Sequence, residues 1–353
     1  MNVRTTLQRL GWNDHFQNAF NALDGDDLFP ARVITEQRGE YRLIAEDGPL
    51  RAFPPVTMRR KTDSLEKPGV GDFVAVVPAS SGLPSIAALL PRRSALTRQA
   101  AGEKAESQLV AANLDVVFVV TSMNQDFNLR RLERYLVIGK ASGAQPVLVL
   151  NKSDLAADDR ARFLSSVGEV AAGVDTIATS AMTAEGIESL RRYLGPGRTV
   201  GLIGSSGVGK STIVNRLIGA EVQVTAAIRE RDARGRHTTT HRELFLLPDD
   251  LGILLDTPGM RELQMWSREG LSEAFPDIEI LFDTCHYRDC RHNGEPGCAL
   301  DGAIEDGTLP AERWNSYRKL RTEIAEQEVR RKRIAERRRK FGRYGQKRRK
   351  KKR

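Results

Sequence analysis

Gly204-Ser205-Ser206-Gly207-Val208-Gly209-Lys210-Ser211 follows directly on the apolar run Thr199-Val200-Gly201-Leu202-Ile203. A strand feeding such a loop has a clear physical purpose. Gly204, Gly207 and Gly209 let successive backbone N–H groups, those of Ser205, Ser206 and Val208 among them, turn inward on phosphate oxygens. Lys210 is placed to reach the β- and γ-oxygens, and the Ser211 hydroxyl is placed to bind Mg2+. The helix that opens at Ser211-Thr212-Ile213-Val214 adds its positive end.

Three further elements belong with this loop. Asn151-Lys152-Ser153-Asp154 ends the apolar run Pro146–Leu150, about fifty residues upstream. The Asp154 carboxylate can accept two hydrogen bonds from the N1 and N2 hydrogens of guanine, which adenine lacks, so the element selects GTP over ATP. Asn151 supports the loop, and Lys152 lies along the base. Ser180-Ala181 fits the companion element whose backbone amide meets guanine O6. Downstream come the Thr-rich switch His237-Thr238-Thr239-Thr240 and Asp256-Thr257-Pro258-Gly259. Asp256 would hold the Mg2+ shell, the Gly259 amide would sense the γ-phosphate, and Thr239, with Thr238 as its close rival, would complete the metal. GTP-binding domains ordinarily place Asn-Lys-x-Asp last. Here it comes first, and the domain reads as circularly permuted.

Met260 stands directly after Asp-x-x-Gly, where many such enzymes carry a glutamine that orients water. An apolar side chain cannot do this. His237 is the nearest candidate for the role, with Lys210 on the phosphates; RNA binding or capping of the loop is the other reading of the histidine. Slow intrinsic turnover, raised by a partner that orders the switch, is the expectation.

The organisation outward from the site follows composition and period. Residues 1–30 read as a helical lead-in (Leu7, Leu10, Trp12, Phe16, Phe20) closed by Pro30, and 31–95 as short strands between turn signals such as Asp47-Gly48-Pro49. Several short strands in so few residues favour a small barrel, of which the OB-fold is the commonest RNA-facing kind. Residues 96–274 alternate strand and helix, predicting a parallel, doubly wound sheet with helices on both faces. Residues 275–329 carry all three cysteines, in Cys285-x4-Cys290-x-His292-x5-Cys298. Three thiolates and one imidazole are the ligand set of a closed, structural Zn2+ site. His286 is a poorer substitute for His292 because it adjoins Cys285.

The net charge of +9 hides an asymmetry. Arg330–Arg353 holds sixteen Lys/Arg against one acid, a local +15, so the other 329 residues sum to −6. A tail of that kind seeks polyanions, RNA foremost; a solvated extension with no fixed partner is the alternative. No apolar run approaches the ~18 residues of a membrane span and no signal-peptide core precedes Gly25. A cytoplasmic, monomeric protein without membrane contact is expected.

The permuted order, Arg236-His237-Thr238-Thr239, Asp256-Thr257-Pro258-Gly259-Met260 and the Cys3His spacing together resemble the ribosome small-subunit-dependent GTPases of the RsgA type. Arg92-Arg93-Ser94, Ala111–Val117 and Asp126–Leu136 carry the likeness beyond the site, to roughly residues 10–325. The resemblance implies an N-terminal OB-fold, a permuted P-loop GTPase and a C-terminal zinc-binding helical domain. It also implies GTP hydrolysis to GDP in late assembly of the small ribosomal subunit, stimulated by the subunit, with the switch histidine, His237, catalytic. The basic tail departs from the family pattern and reads as an added rRNA anchor or a lineage-specific charge run. Rival readings are a GTPase acting on another RNA, and an RNA-binding scaffold that senses GTP with little turnover. Because the second switch runs within about 25 residues into the cysteine region, nucleotide state is expected to swing that region.

Overall fold

The computed structural model describes residues 5–25, 27–37, 39–59, 64–79, 81–99, 107–156, 158–218, 243–256, 268–326, 328–329 and 333. Five antiparallel strands form the first unit: β1 (Phe29–Gln37), β2 (Glu40–Ala45), β3 (Gly48–Ala52), β4 (Phe73–Val77) and β5 (Ser85–Leu89). Their order is β3-β2-β1-β4-β5, and a parallel bridge between Phe53 and Ser85 joins the two edges. Closure removes the exposed strand edges and gives the OB-type barrel. Val33, Leu43, Val74, Val76 and Ile86 fill it.

The strand β1 is buried on both faces from Ala31 to Thr35. The lead-in explains this: it forms two short helices, Thr6–Arg9 and Asp14–Asn21, and Phe16 packs against Phe73 with ring centroids 4.3 Å apart. Pro30, read from sequence as the end of the lead-in, lies inside β1, and Gly48-Pro49, read as a turn, begins β3. Each proline sits near the start of its strand, where its lack of an N–H costs least. A two-stranded hairpin follows, β6 (Ala95–Gln99) with β7 (Ser107–Ala112).

The central sheet contains β8 (Val116–Ser122), β9 (Gln145–Asn151), β10 (Asp175–Ala178), β11 (Thr199–Gly204), β12 (Glu243–Leu246) and β13 (Ile253–Asp256). Their order is β10-β9-β8-β11-β13-β12. All neighbours are parallel except β12, which pairs antiparallel at the edge. The expected all-parallel sheet is therefore corrected at one strand. Alternation along β8 divides the core: Val117 and Val119 face one layer with helix Leu129–Ala141, while Phe118 and Val120 face the other with helix Lys210–Ile218. From β8 the chain winds out toward β9, and from β11 toward β13. Strand order thus reverses between β8 and β11, and the crevice at their carboxyl ends is where such sheets hold ligands.

A buried cation helps to join barrel and sheet. Arg32, on β1, donates to Leu10 O, to Gly71 O at 3.1 Å, to Asn113 O at 3.2 Å and to Thr199 Oγ1 at 2.9 Å. Thr199 begins the phosphate-loop strand. Burial lowers the Arg32 pKa to about 10, while Asp115 and Asp72 oppose the shift; the guanidinium stays charged at neutral pH.

Beyond the sheet, helix Arg268–Ala274 lies so close on helix Leu129–Ala141 that a Cβ on Gly270 would stand 2.5 Å from the Ala141 side chain. Helices Pro276–Phe282 and Ala299–Glu305 flank the cysteine loop, and residues 311–326 form a further helix. Arg313, from that last helix, takes Asp277 bidentately at 2.6 and 2.7 Å and reaches Glu133 Oε1 at 3.2 Å. Glu133 is 1% exposed and also accepts from Arg130 and Ser316. The cysteine region is therefore docked on the sheet's own helix. Among the described residues no helix is long and apolar enough to cross a membrane.

Candidate nucleotide site and metal centre

The loop after β11 bends through three glycines with positive φ: Gly204 at 147°, Gly207 at 81° and Gly209 at 99°. Two of them also permit close contact. A Cβ at Gly204 would meet Val120 O at 2.2 Å, and one at Gly209 would meet Asn151 Nδ2 at 2.2 Å. Lys210 Nζ donates to the carbonyls of Gly204 and Ser205, at 2.8 and 2.6 Å. Ser206, Gly207, Ser211 and Thr212 are exposed, whereas Val208 is buried and anchors the loop.

Asn151 ends β9 and is 2% exposed. Its Nδ2 donates to Val208 O at 2.8 Å; its Oδ1 accepts from Ala181 N at 3.0 Å and from Thr179 Oγ1 at 3.2 Å. One amide therefore ties together the phosphate loop, the Asn-Lys-x-Asp element and the Ser180-Ala181 element. The Ala181 N–H, read from sequence as directed at guanine O6, braces Asn151 in this structure. Lys152 adopts left-handed φ and ψ of 63° and 39°, which turns the chain into the single 3-10 turn Ser153–Leu155 and leaves Asp154 exposed. Ser153 N donates to Thr179 O, and Ser153 Oγ to Glu185 Oε2 at 3.0 Å. Ser180 is fully buried.

Several residues of this neighbourhood carry no motif and were invisible in the sequence. Arg216, on the helix after the loop, donates to Ala181 O at 2.8 Å and to Met182 O at 2.6 Å. Glu185 is held below the usual carboxylate range by hydrogen bonds from Arg160 and Ser153. Arg131 Nη1 donates to Ser205 Oγ at 2.9 Å, and Tyr135 OH lies 3.4 Å from the same oxygen. Arg131 and Tyr135 stand four residues apart on one face of their helix, which lets both reach the same oxygen.

Asp256 closes β13, beside the phosphate-loop strand, with Glu243 as its backbone partner. His237, Thr238, Thr239, Gly259 and Met260 lie outside the described residues, as does the tail from residue 334.

The structure brings Cys285, Cys290, His292 and Cys298 together, their donor atoms all within 4.8 Å of one another. His292 Nδ1 lies 3.5 Å from Cys285 Sγ and 3.7 Å from Cys298 Sγ. Those edges match a tetrahedron with bonds of about 2.0 Å to nitrogen and about 2.3 Å to sulfur. His292 reaches in through a left-handed turn, φ 59°, and stacks on Phe282 at 4.3 Å. His286, the rival ligand, is outside the cluster. Burial lowers the His292 pKa and pushes the Cys298 thiol up to about 11. The imidazole is thus neutral and ready to ligate, whereas the thiol must give up its proton. Glu295 accepts from Arg291 N and Asn293 N and lies beside Cys290, bracing the loop. The cluster has the composition and shape to hold a metal ion.

Comparison with known proteins agrees with this arrangement. The family model described as RsgA GTPase matches residues 89–266. The small ribosomal subunit biogenesis GTPase RsgA of Opitutus terrae is 43% identical over 332 residues, covering 91% of this chain and 90% of its own. Its counterpart in Methanosarcina acetivorans is 44% identical, covering 89% and 84%. Among solved structures, YjeQ from Thermotoga maritima superposes with TM-score 0.62 at 26% identity, covering 84% of this chain and 99% of that one. YloQ, a circularly permuted GTPase, gives 0.60 at 24%, covering 86% and 98%, a likeness of fold.

Proposed function

The chain belongs to the RsgA GTPase family, and from that footing we propose that it hydrolyses GTP to GDP and phosphate during maturation of the small ribosomal subunit. The observation that carries this reading is the single buried Asn151 amide bonded to both the phosphate loop and the Ser180-Ala181 loop. It supports one composite pocket, despite the permuted chain order. In that pocket the backbone of Gly204–Thr212 and Lys210 cradle the phosphates, and Asp154 reads the guanine edge. Lys210 exchanges its two loop carbonyls for the β- and γ-oxygens when nucleotide arrives.

Ser211, exposed at the start of its helix, fits Mg2+ together with Asp256 and Thr239. The ion would neutralise charge on the β- and γ-oxygens. His237 orients the attacking water in place of the absent glutamine, so turnover waits on a partner that closes the switch. The Cys3His cluster takes Zn2+ and shapes its loop; four protein ligands leave no open position for chemistry. The partner is the small subunit and its rRNA, gripped by the barrel, the metal region and the basic tail 330–353. The protein works in the cytoplasm as a monomer. The domains run 1–30, 31–95, 96–274, 275–329 and 330–353.

Met260 favours a second reading, a GTP-sensing scaffold with little turnover. Sedimentation separates the claims about partner. With a non-hydrolysable GTP analogue the protein should pellet with small subunits, and with GDP it should not. Equal pelleting with large subunits or with free RNA would sink the ribosomal assignment.

A further inference from the structure

Helix Leu129–Ala141 has two working faces. One carries Arg130, Glu133 and Arg134. Glu133 holds Arg313 and Ser316, Arg130 meets Glu312 at 3.0 Å, and Arg134 meets Glu323 at 2.8 Å. The other carries Arg131 and Tyr135, which converge on the Ser205 hydroxyl, the second residue of the phosphate loop. Ser205 is therefore held from two sides: Lys210 takes its carbonyl, and Arg131 its side chain. Tyr135 is 6% exposed and acts as a fixed backstop, while Arg131 reaches over the loop from solvent.

We propose that Arg131 is a positioning residue for GTP, acting through Ser205 to hold the phosphate loop in the shape that receives the phosphates. Loops position groups well only when a rigid element supports them. This helix is rigid for a stated reason: its opposite face is locked by the buried Glu133–Arg313 pair, with Asp277 holding Arg313 from the surface, and its C-terminal end by Lys140 donating to Glu273 O. A guanidinium has five N–H donors, and the bond to Ser205 occupies one of them. The effect falls on binding, because Ser205 lies at the entrance of the loop and not at the end where Ser211 and Lys210 handle the transferred group.

The inference rests on the nucleotide reading of the loop, and its test keeps the two apart. The full chain would be compared with Arg131→Ala, Arg131→Lys, Ser205→Ala and the double variant Arg131→Ala/Ser205→Ala. KM and kcat for GTP in the presence of small subunits, and Kd for fluorescent GDP, would be measured. Arg131→Ala should raise KM and the GDP Kd together by about five-fold, the loss of one charge-assisted hydrogen bond, with kcat changing less. Arg131→Lys should recover part of the loss, and the double variant should be no worse than either single one. Unchanged KM and Kd in Arg131→Ala, or additive losses in the double variant, would overturn the assignment while leaving the nucleotide site standing. Failure of the unaltered chain to bind any guanine nucleotide would remove the functional reading and this inference with it. Arg131 is exposed, so its truncation leaves the core intact.

Discussion

The Asn151 side-chain amide donates to the Val208 carbonyl at 2.8 Å, across 57 residues of chain. That bond fixes the end of β9 against the phosphate loop that follows β11, two strands away in the sheet. It also explains why Gly209 has no side chain, since a Cβ there would occupy the place of Asn151 Nδ2.

Replacing Asn151 by Ala should therefore disturb both loops at once. The buried Val208 carbonyl and Ala181 amide lose their partner, at a cost of about 1–3 kcal/mol in stability. GTP affinity should fall at least about tenfold, on the order of 1.4 kcal/mol. Thermal melting and fluorescent-nucleotide titration measure the two effects separately.

Asp154→Asn should change the base that is read. An amide offers one acceptor and one donor where the carboxylate offers two acceptors, which suits xanthine, whose position 2 is a carbonyl. The variant should lose GTP and gain XTP in competition binding. Equal loss of both would mean that Asp154 supports the loop and does not read the base.

Arg313→Met should undo the docking of the metal region. It takes Arg313 from the Glu133 carboxylate, 1% exposed, and leaves only the half-exposed Arg130 as its cation; breaking a buried pair costs up to about 3–5 kcal/mol. Unfolding midpoints would register the loss, and hydrogen exchange should increase in both helix Leu129–Ala141 and helix Pro276–Phe282. Exchange confined to the second helix would show the two to be independent.

Chelation of the metal should loosen the cysteine loop, because residues 283–298 contain little regular structure to hold them otherwise. The sign with pH follows from Cys298. Its thiol, raised to about 11 by burial, is protonated at neutral pH and must release that proton on binding. Metal affinity should thus rise with pH, roughly tenfold per unit for each proton released, and fall as acid accumulates. Competition with a chromophoric chelator between pH 6 and 8 would check this.

The sequence made the site legible where chemistry demands fixed residue types at fixed spacing. The glycines of the loop, Asn151 to Asp154 and the Cys3His set needed no structure to be found. The barrel was legible as a class, but its third strand was not, because Gly48-Pro49 carries turn chemistry and tertiary pairing overrode it. The edge strand Glu243–Leu246 was missed for want of a long apolar run. What stayed hidden were the long-range partners. Arg32 gives no local sign that it will be buried between Leu10, Asn113 and Thr199, nor Arg131 that it will touch Ser205. Arg92-Arg93-Ser94 had shown only as text resembling the family. In the fold it is the joint, with Arg92 on Asp72, Arg93 on Asp115 and Ser94 on the Leu114 carbonyl.

The most direct test of the account is GTP hydrolysis by the purified protein, alone and with added small ribosomal subunits. A subunit-triggered GTPase that lacks the water-orienting glutamine should turn over slowly by itself and accelerate at least about tenfold, a barrier change on the order of 1.4 kcal/mol, with His237→Ala abolishing the gain. Tight GTP binding with no acceleration by the subunit would contradict it.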